Sequence, residues 1–201
     1  MKKTLFAFFW LTAFVVFSAK TYGQQNNMLS VIYGTGSDAV FYGSPGAPGF
    51  AGKGQTLLGL NYIRHIAGAF SIETGVEYSV NNLLWDYEDA YDPNFRPQKT
   101  SVKLLSVPVY ANFTVWKYVF FNTGLSADFE TDQPGVAATD RLVSKQSGIS
   151  FFLGGGGKYT FNHISLFANP FIQAHKIVSF GPSGGGMLLN SGFRFGVGYG
   201  F

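Results

Sequence analysis

The chain contains no cysteine. An exported protein without cysteine has no disulfide framework, and it cannot carry a lipid on an N-terminal cysteine. Zinc and iron–sulfur sites built on thiolates are excluded as well. Charge is also scarce. Asp, Glu, Lys and Arg make up 12% of the 201 residues, against about 25% in an ordinary soluble domain. Long apolar runs are missing beyond the N-terminus, because glycine and polar residues interrupt each later one. No later segment therefore supplies the run of about 20 apolar residues that a membrane-spanning helix needs.

The first 23 residues read as a signal peptide. Lys2 and Lys3 form a basic start, Leu5 to Phe17 an apolar stretch too short to span, and Thr21, Tyr22 and Gly23 a small-residue cleavage site. The expected organisation is therefore a signal peptide over 1–23 and one barrel domain over 24–201. The formal charge of +3 belongs to the leader, which holds Lys2, Lys3 and Lys20 and no acid. The remaining chain has eleven basic and eleven acidic residues. Its balance of zero gives basicity no role, and no nucleic-acid partner is expected.

Aromatic residues are abundant, at 18%, and they are arranged with a period of two. From Leu189 to Phe201, Leu189, Phe193, Phe195, Val197, Tyr199 and Phe201 share one face, and Asn190, Arg194 and four glycines share the other. Successive side chains of a strand point to opposite faces. A large apolar face backed by small or polar residues suits a membrane barrel, with lipid outside and a narrow lumen inside. Seven more segments have this character, roughly 28–36, 56–65, 70–80, 101–115, 118–129, 148–161 and 164–175. The alternation is noisier in the first, second and seventh strands. Pro108 and Pro170 each remove a ladder donor, which predicts a bulge or a local break.

Short links at 66–69, 116–117 and 162–163 alternate with four connections of roughly 14 to 20 residues. Short periplasmic turns and long outer loops are a property of transmembrane barrels. The expected fold is an all-β, eight-stranded antiparallel transmembrane β-barrel, an up-and-down meander in the cell outer membrane with both termini periplasmic. A soluble barrel of the lipocalin kind is the alternative, with the apolar set inside around a ligand. Periodicity alone does not say which face is in.

If the polar face points inward, the lumen contains Glu73, Glu77, Asp128, Lys158 and Arg194, together with Asn61, Asn112, Asn122, Asn169 and Gln173. A barrel of this strand number has room for side chains and little more. Three acids against two bases therefore predict a plug of ion pairs and hydrogen bonds, since unpaired buried charges are costly. Trp116, Tyr118, Tyr159 and Phe161 flank two tight turns and would form an aromatic girdle. Four consecutive glycines, Gly154 to Gly157, lack the Lys-Ser/Thr and the helix of a phosphate loop. The inward Gly154 and Gly156 would make room for Phe120 or Tyr110.

Lys103 to Phe113, with its proline after apolar residues, resembles a strand of the small outer-membrane barrel family of Bacteroidetes, which includes PorT-like and OmpA-like barrels. Tyr118 to Phe129, with Thr123, Gly124 and Leu125, is similar to that family's next strand, and Gly192 to Phe201 to its closing strand. The resemblance implies an outer-membrane barrel, surrounded by membrane lipid and lipopolysaccharide. Phe195, Val197, Tyr199 and Phe201 resemble the terminal signal read by the barrel assembly machinery. The same residues also suit a plain lipid-facing strand.

Two motifs suggest chemistry. His163 and Ser165 have the spacing of a base and a nucleophile on one strand face, and resemble the pair in outer-membrane lipid A deacylases. No Asp or Glu follows Asp140 to orient the histidine, and the pair falls at a predicted periplasmic turn. Asp86, Glu88, Asp89 and Asp92 lie together in an outer loop. They could hold Ca²⁺ or bridge lipopolysaccharide, but their spacing lacks the order of a calcium loop, so a solvated loop is expected. The expectation is a protein that is not an enzyme and has no cofactor. Its role is structural or interactive, with a protein partner reached through the outer loops. An accessory part in a secretion or surface-assembly complex is the first alternative, and a lipid-modifying outer-membrane enzyme the second.

Overall fold

In the computed structural model, eight strands close into one antiparallel barrel, each paired with its sequence neighbours and β1 with β8. The strands are β1 (Asn27–Phe41), β2 (Phe50–Ala67), β3 (Phe70–Trp85), β4 (Gln98–Trp116), β5 (Val119–Asp132), β6 (Gly148–Phe161), β7 (Ile164–Ser179) and β8 (Met187–Gly200). The structure describes residues 26–41, 50–85, 98–132, 146–181 and 186–201. The leader at 1–23 and the acidic run at 86–92 lie outside them.

Closure leaves no unpaired sheet edge, the condition that a hydrocarbon environment places on any β-structure. The β1–β8 seam runs in one register from Met28–Gly200 to Phe41–Met187. At its end Asn27 and Phe201 exchange backbone hydrogen bonds of 3.2 and 2.9 Å. Both ends of the described barrel thus lie beside the tight turns at 68–69, 117–118 and 162–163. Gly68 and Asn162 take φ of 57° and 52° there, the left-handed geometry that short hairpins require and that Gly and Asn accept most readily.

The facing is the inverse of a soluble barrel. Leu29, Val31, Leu58, Leu60, Val76, Val107, Val109, Leu125, Leu153, Ile172, Phe193 and Val197 point outward and are exposed. Ser30, Asn61, Glu73, Glu77, Ser106, Asn122, Asp128, Asn169, Gln173 and Arg194 point inward and are buried. The lipocalin-like alternative is therefore overturned.

Several sequence expectations are corrected. β1, β2, β3, β4, β5, β7 and β8 run past their expected ends on the loop side, so all four long connections are shorter than expected. Asn82, Lys99 and Thr131 occupy these extensions, where alternation between apolar and polar residues fades although pairing continues. Pro108 and Pro170 each leave a gap in one ladder without shifting its register. The bulges lie elsewhere, between Gly36 and Ala39, Gly52 and Gly54, His65 and Ala67, Lys103 and Leu104, Thr114 and Trp116, and Ile149 and Phe151. The noise in β1, β2 and β7 comes instead from apolar side chains that face inward, Ile32, Leu57 and Phe171 among them.

Candidate functional site

The lumen is filled in layers. The central layer is built from β2, β3, β4 and β8. Arg194, 1% exposed, directs Nη2 to Oε1 of Glu77 at 2.6 Å and to Oε1 of Glu73 at 3.2 Å. Asn61 Nδ2 donates to the same two oxygens at 2.8 and 2.6 Å. Asn112 Nδ2 donates to Glu73 Oε2 at 3.0 Å. β3 presents both glutamates to one side because they are four residues apart on one strand face. The Arg194 guanidinium also lies over the Phe152 ring, 5.0 Å from its centroid, and 5.6 Å from that of Tyr110. Tyr110, Phe152 and Phe171 stack at 4.3 and 5.6 Å and fill the rest of this level.

A second network lies nearer the loops. Asp128 Oδ2 is 2.5 Å from His175 Nδ1, accepts from Ser150, and its Oδ1 accepts from Ser126 at 2.8 Å. His175 Nε2 meets Asn190 Nδ2 at 3.2 Å, and that amide donates to Asn81 Oδ1 at 2.8 Å. The chain of contacts crosses the barrel from β5 to β3. Above it, Leu83, Val102, Leu104 and Leu188 form a fully buried apolar cluster. Gln146, just before β6, is buried and donates Nε2 to the Gly186 carbonyl at 2.8 Å. Among the described residues the lumen is thus filled on the loop side by hydrocarbon and farther in by hydrogen-bonded polar groups.

The five charged residues read from the sequence all face the lumen, but they do not form one network. Glu73, Glu77 and Arg194 come together. Asp128 pairs with His175, which sequence reasoning did not single out. Among the described residues Lys158 joins no acid, and it donates to Thr114 Oγ1 at 2.9 Å, near the short turns. The signal for His175 was present, since it continues the inward series Ser165, Phe167, Asn169, Phe171 and Gln173. Phe167 and Phe171 on that series made both faces of β7 look apolar.

The glycine account is also corrected. A Cβ on Gly154 would meet Asn169 Oδ1 at 2.6 Å and Asn122 Oδ1 at 2.7 Å, and one on Gly156 would strike the Ala168 carbonyl. These glycines make room for two amides and the β7 backbone. Tyr110 has its space from Gly124, and the Phe167 ring from Gly196.

Outside, Trp116, Tyr118, Tyr159 and Phe161 are exposed around the short-turn end. Tyr118 lies in the turn itself, although strict alternation would send it inward, and stacks on Tyr159 at 6.1 Å. Phe195, Val197, Tyr199 and Phe201 are exposed on the outer wall of the last strand and beyond its end. His163 and Ser165 do not pair. The His163 ring stacks on Tyr199 at 5.8 Å, whereas Ser165 Oγ lies 2.8 Å from Thr160 Oγ1 inside the barrel mouth. Among the described residues, no group of three or more His, Cys, Asp or Glu side chains is placed to hold a metal ion.

No family model matches this sequence, and no curated protein does. Three solved barrels are similar to it. The outer membrane protein OprG from Pseudomonas aeruginosa is 12% identical, covering 87% of this chain and 97% of its own, with a TM-score of 0.47. The N-terminal β-barrel domain of OprF from the same organism is 16% identical, covering 89% and 100%, with a TM-score of 0.42. Ail, the attachment invasion locus protein of Yersinia pestis, is 13% identical, covering 89% and 100%, with a TM-score of 0.41. At these values the likeness carries no functional argument, and the architecture rests on the chain's own strand pairing and facing.

Proposed function

We propose that this chain is a small outer-membrane barrel with a sealed lumen, acting structurally or as an interaction module through its outer loops. The observation that carries this reading is the inverted facing, with aliphatic and aromatic side chains outside and Glu73, Glu77, Asp128 and Arg194 buried inside. An exposed apolar belt on every strand is untenable in water and suited to lipid. Membrane lipid and lipopolysaccharide are then its immediate surroundings. Phe195, Val197, Tyr199 and Phe201 serve the barrel assembly machinery, and the short-turn end with both termini faces the periplasm. Kinship with the small barrels of Bacteroidetes, PorT-like ones among them, belongs to this proposal and rests on the sequence of β4, β5 and β8. The apolar cap and the paired lumen groups favour a closed body over a conducting one. The separation of His163 from Ser165 favours a role without catalysis.

The test is fractionation of native cells, followed by gel electrophoresis of the outer-membrane fraction with and without boiling. A band in that fraction whose mobility changes on boiling supports the proposal. A soluble band with no such change overturns it.

A further inference from the structure

Lys158 lies in a cavity at the short-turn end of the lumen. Among the described residues its ammonium meets no carboxylate, and its hydrogen bond goes to the Thr114 hydroxyl. The walls around it are largely hydrocarbon, from Met28, Ile63, Phe120 and Phe167, with the Ser165 hydroxyl beside them. The enclosed part holds about 50 Å³, and the remaining space is an open mouth toward the short turns. Glu73 lines its inner end, but both oxygens of that carboxylate are already engaged by Asn61, Asn112 and Arg194. A charge drawn into apolar surroundings normally has a counter-charge. Here the described residues supply none, and they leave open space where one would sit.

The geometry points to a binding site for a small amphiphilic carboxylate that enters from the short-turn end. Its carboxylate pairs with Lys158 Nζ, and its hydrocarbon part lies against Met28, Ile63, Phe120 and Phe167. The inner end of the cavity is polar, with Asn169 Oδ1 and Arg194 Nη1 buried there and unpartnered. The apolar stretch is therefore short, and the site takes a chain of a few carbons rather than a long acyl tail. The sealed lumen beyond makes this a dead-end site, distinct from a conduction path.

Hexanoate is the probe, titrated by calorimetry against the folded barrel in phospholipid nanodiscs, with empty nanodiscs as the blank. The expected result is saturable binding of hexanoate and binding at least about tenfold weaker for hexanol, which lacks the charge-assisted contact. Lys158→Met should weaken hexanoate by a similar factor, whereas Lys99→Met, on the outer wall near the loops, should leave it unchanged. Lys158→Arg should retain binding, which guards against a folding defect at this position. Absence of saturable hexanoate binding overturns the inference. So does hexanol binding as tightly as hexanoate to the unmodified barrel.

Discussion

His175 Nδ1 lies 2.5 Å from Asp128 Oδ2 within the barrel, with neither residue more than 1% exposed. This pair separates the charge that fills the lumen into two levels. Arg194 neutralises glutamates of β3 at one level, and His175 meets the aspartate of β5 nearer the loops. Each level bridges strands that are not neighbours, so the two act as internal cross-braces for a single closed sheet.

The first prediction concerns this pair. Asp128→Ala removes the shared acceptor of His175, Ser126 and Ser150. Leaving buried polar groups unmatched costs about 1–3 kcal/mol each. A double-mutant cycle with His175→Ala, read by urea unfolding in lipid, should give a coupling of about 0.5–3 kcal/mol. Additive effects of the two changes would mean that the contact contributes nothing specific.

Arg194→Met should be more damaging than either glutamate change, because it leaves Glu73 and Glu77 facing one another without a cation. Removing one member of a buried ion pair costs about 3–5 kcal/mol. Adding Glu73→Gln and Glu77→Gln to Arg194→Met should recover part of the loss. A triple variant less stable than the single one would contradict this account of the layer.

The unmodified barrel should show no steady conductance in planar bilayers. Arg194→Ala should remain closed as well, since Leu83, Val102, Leu104 and Leu188 seal the lumen beyond it. Current appearing on truncation of Arg194 or Glu73 would show that the apolar cluster is not a seal.

Gly196→Leu should overpack the lumen. A Cβ at Gly196 would strike the Phe167 ring. Inserted volume of this kind costs about 1–3 kcal/mol. Phe167→Ala in the same chain should relieve the strain, and a second change that gives no relief would place the clash elsewhere.

Much of this architecture was legible in the sequence, for physical reasons that differ between elements. In β8 the apolar residues lie almost wholly on one face, so Phe195, Val197 and Tyr199 could be set against Arg194. In β7, Phe167 and Phe171 turn inward to meet Gly196 and Phe152, and the contrast between faces is lost. Near the loops Leu104 and Leu105 take opposite faces, and no period distinguishes the inward leucine from the outward one. The partnering of charges was less accessible. Which acid meets Arg194 and which meets His175 depends on register across several strands, and no local pattern encodes it. The isolation of Lys158 follows from the same cause.

The central claim is that alternate residues face lipid and a closed interior, and the cysteine-free chain allows this to be measured directly. Single cysteines at Leu105, Ser106, Val107 and Val109 would carry nitroxide labels in the folded, lipid-embedded protein. Their collision rates with oxygen, which concentrates in lipid, and with a water-soluble nickel reagent would be recorded. The account predicts high oxygen access and low nickel access at 105, 107 and 109, with little access to either at 106. Free access of nickel to the odd-numbered positions, or oxygen access at 106 but not at 107, would contradict it.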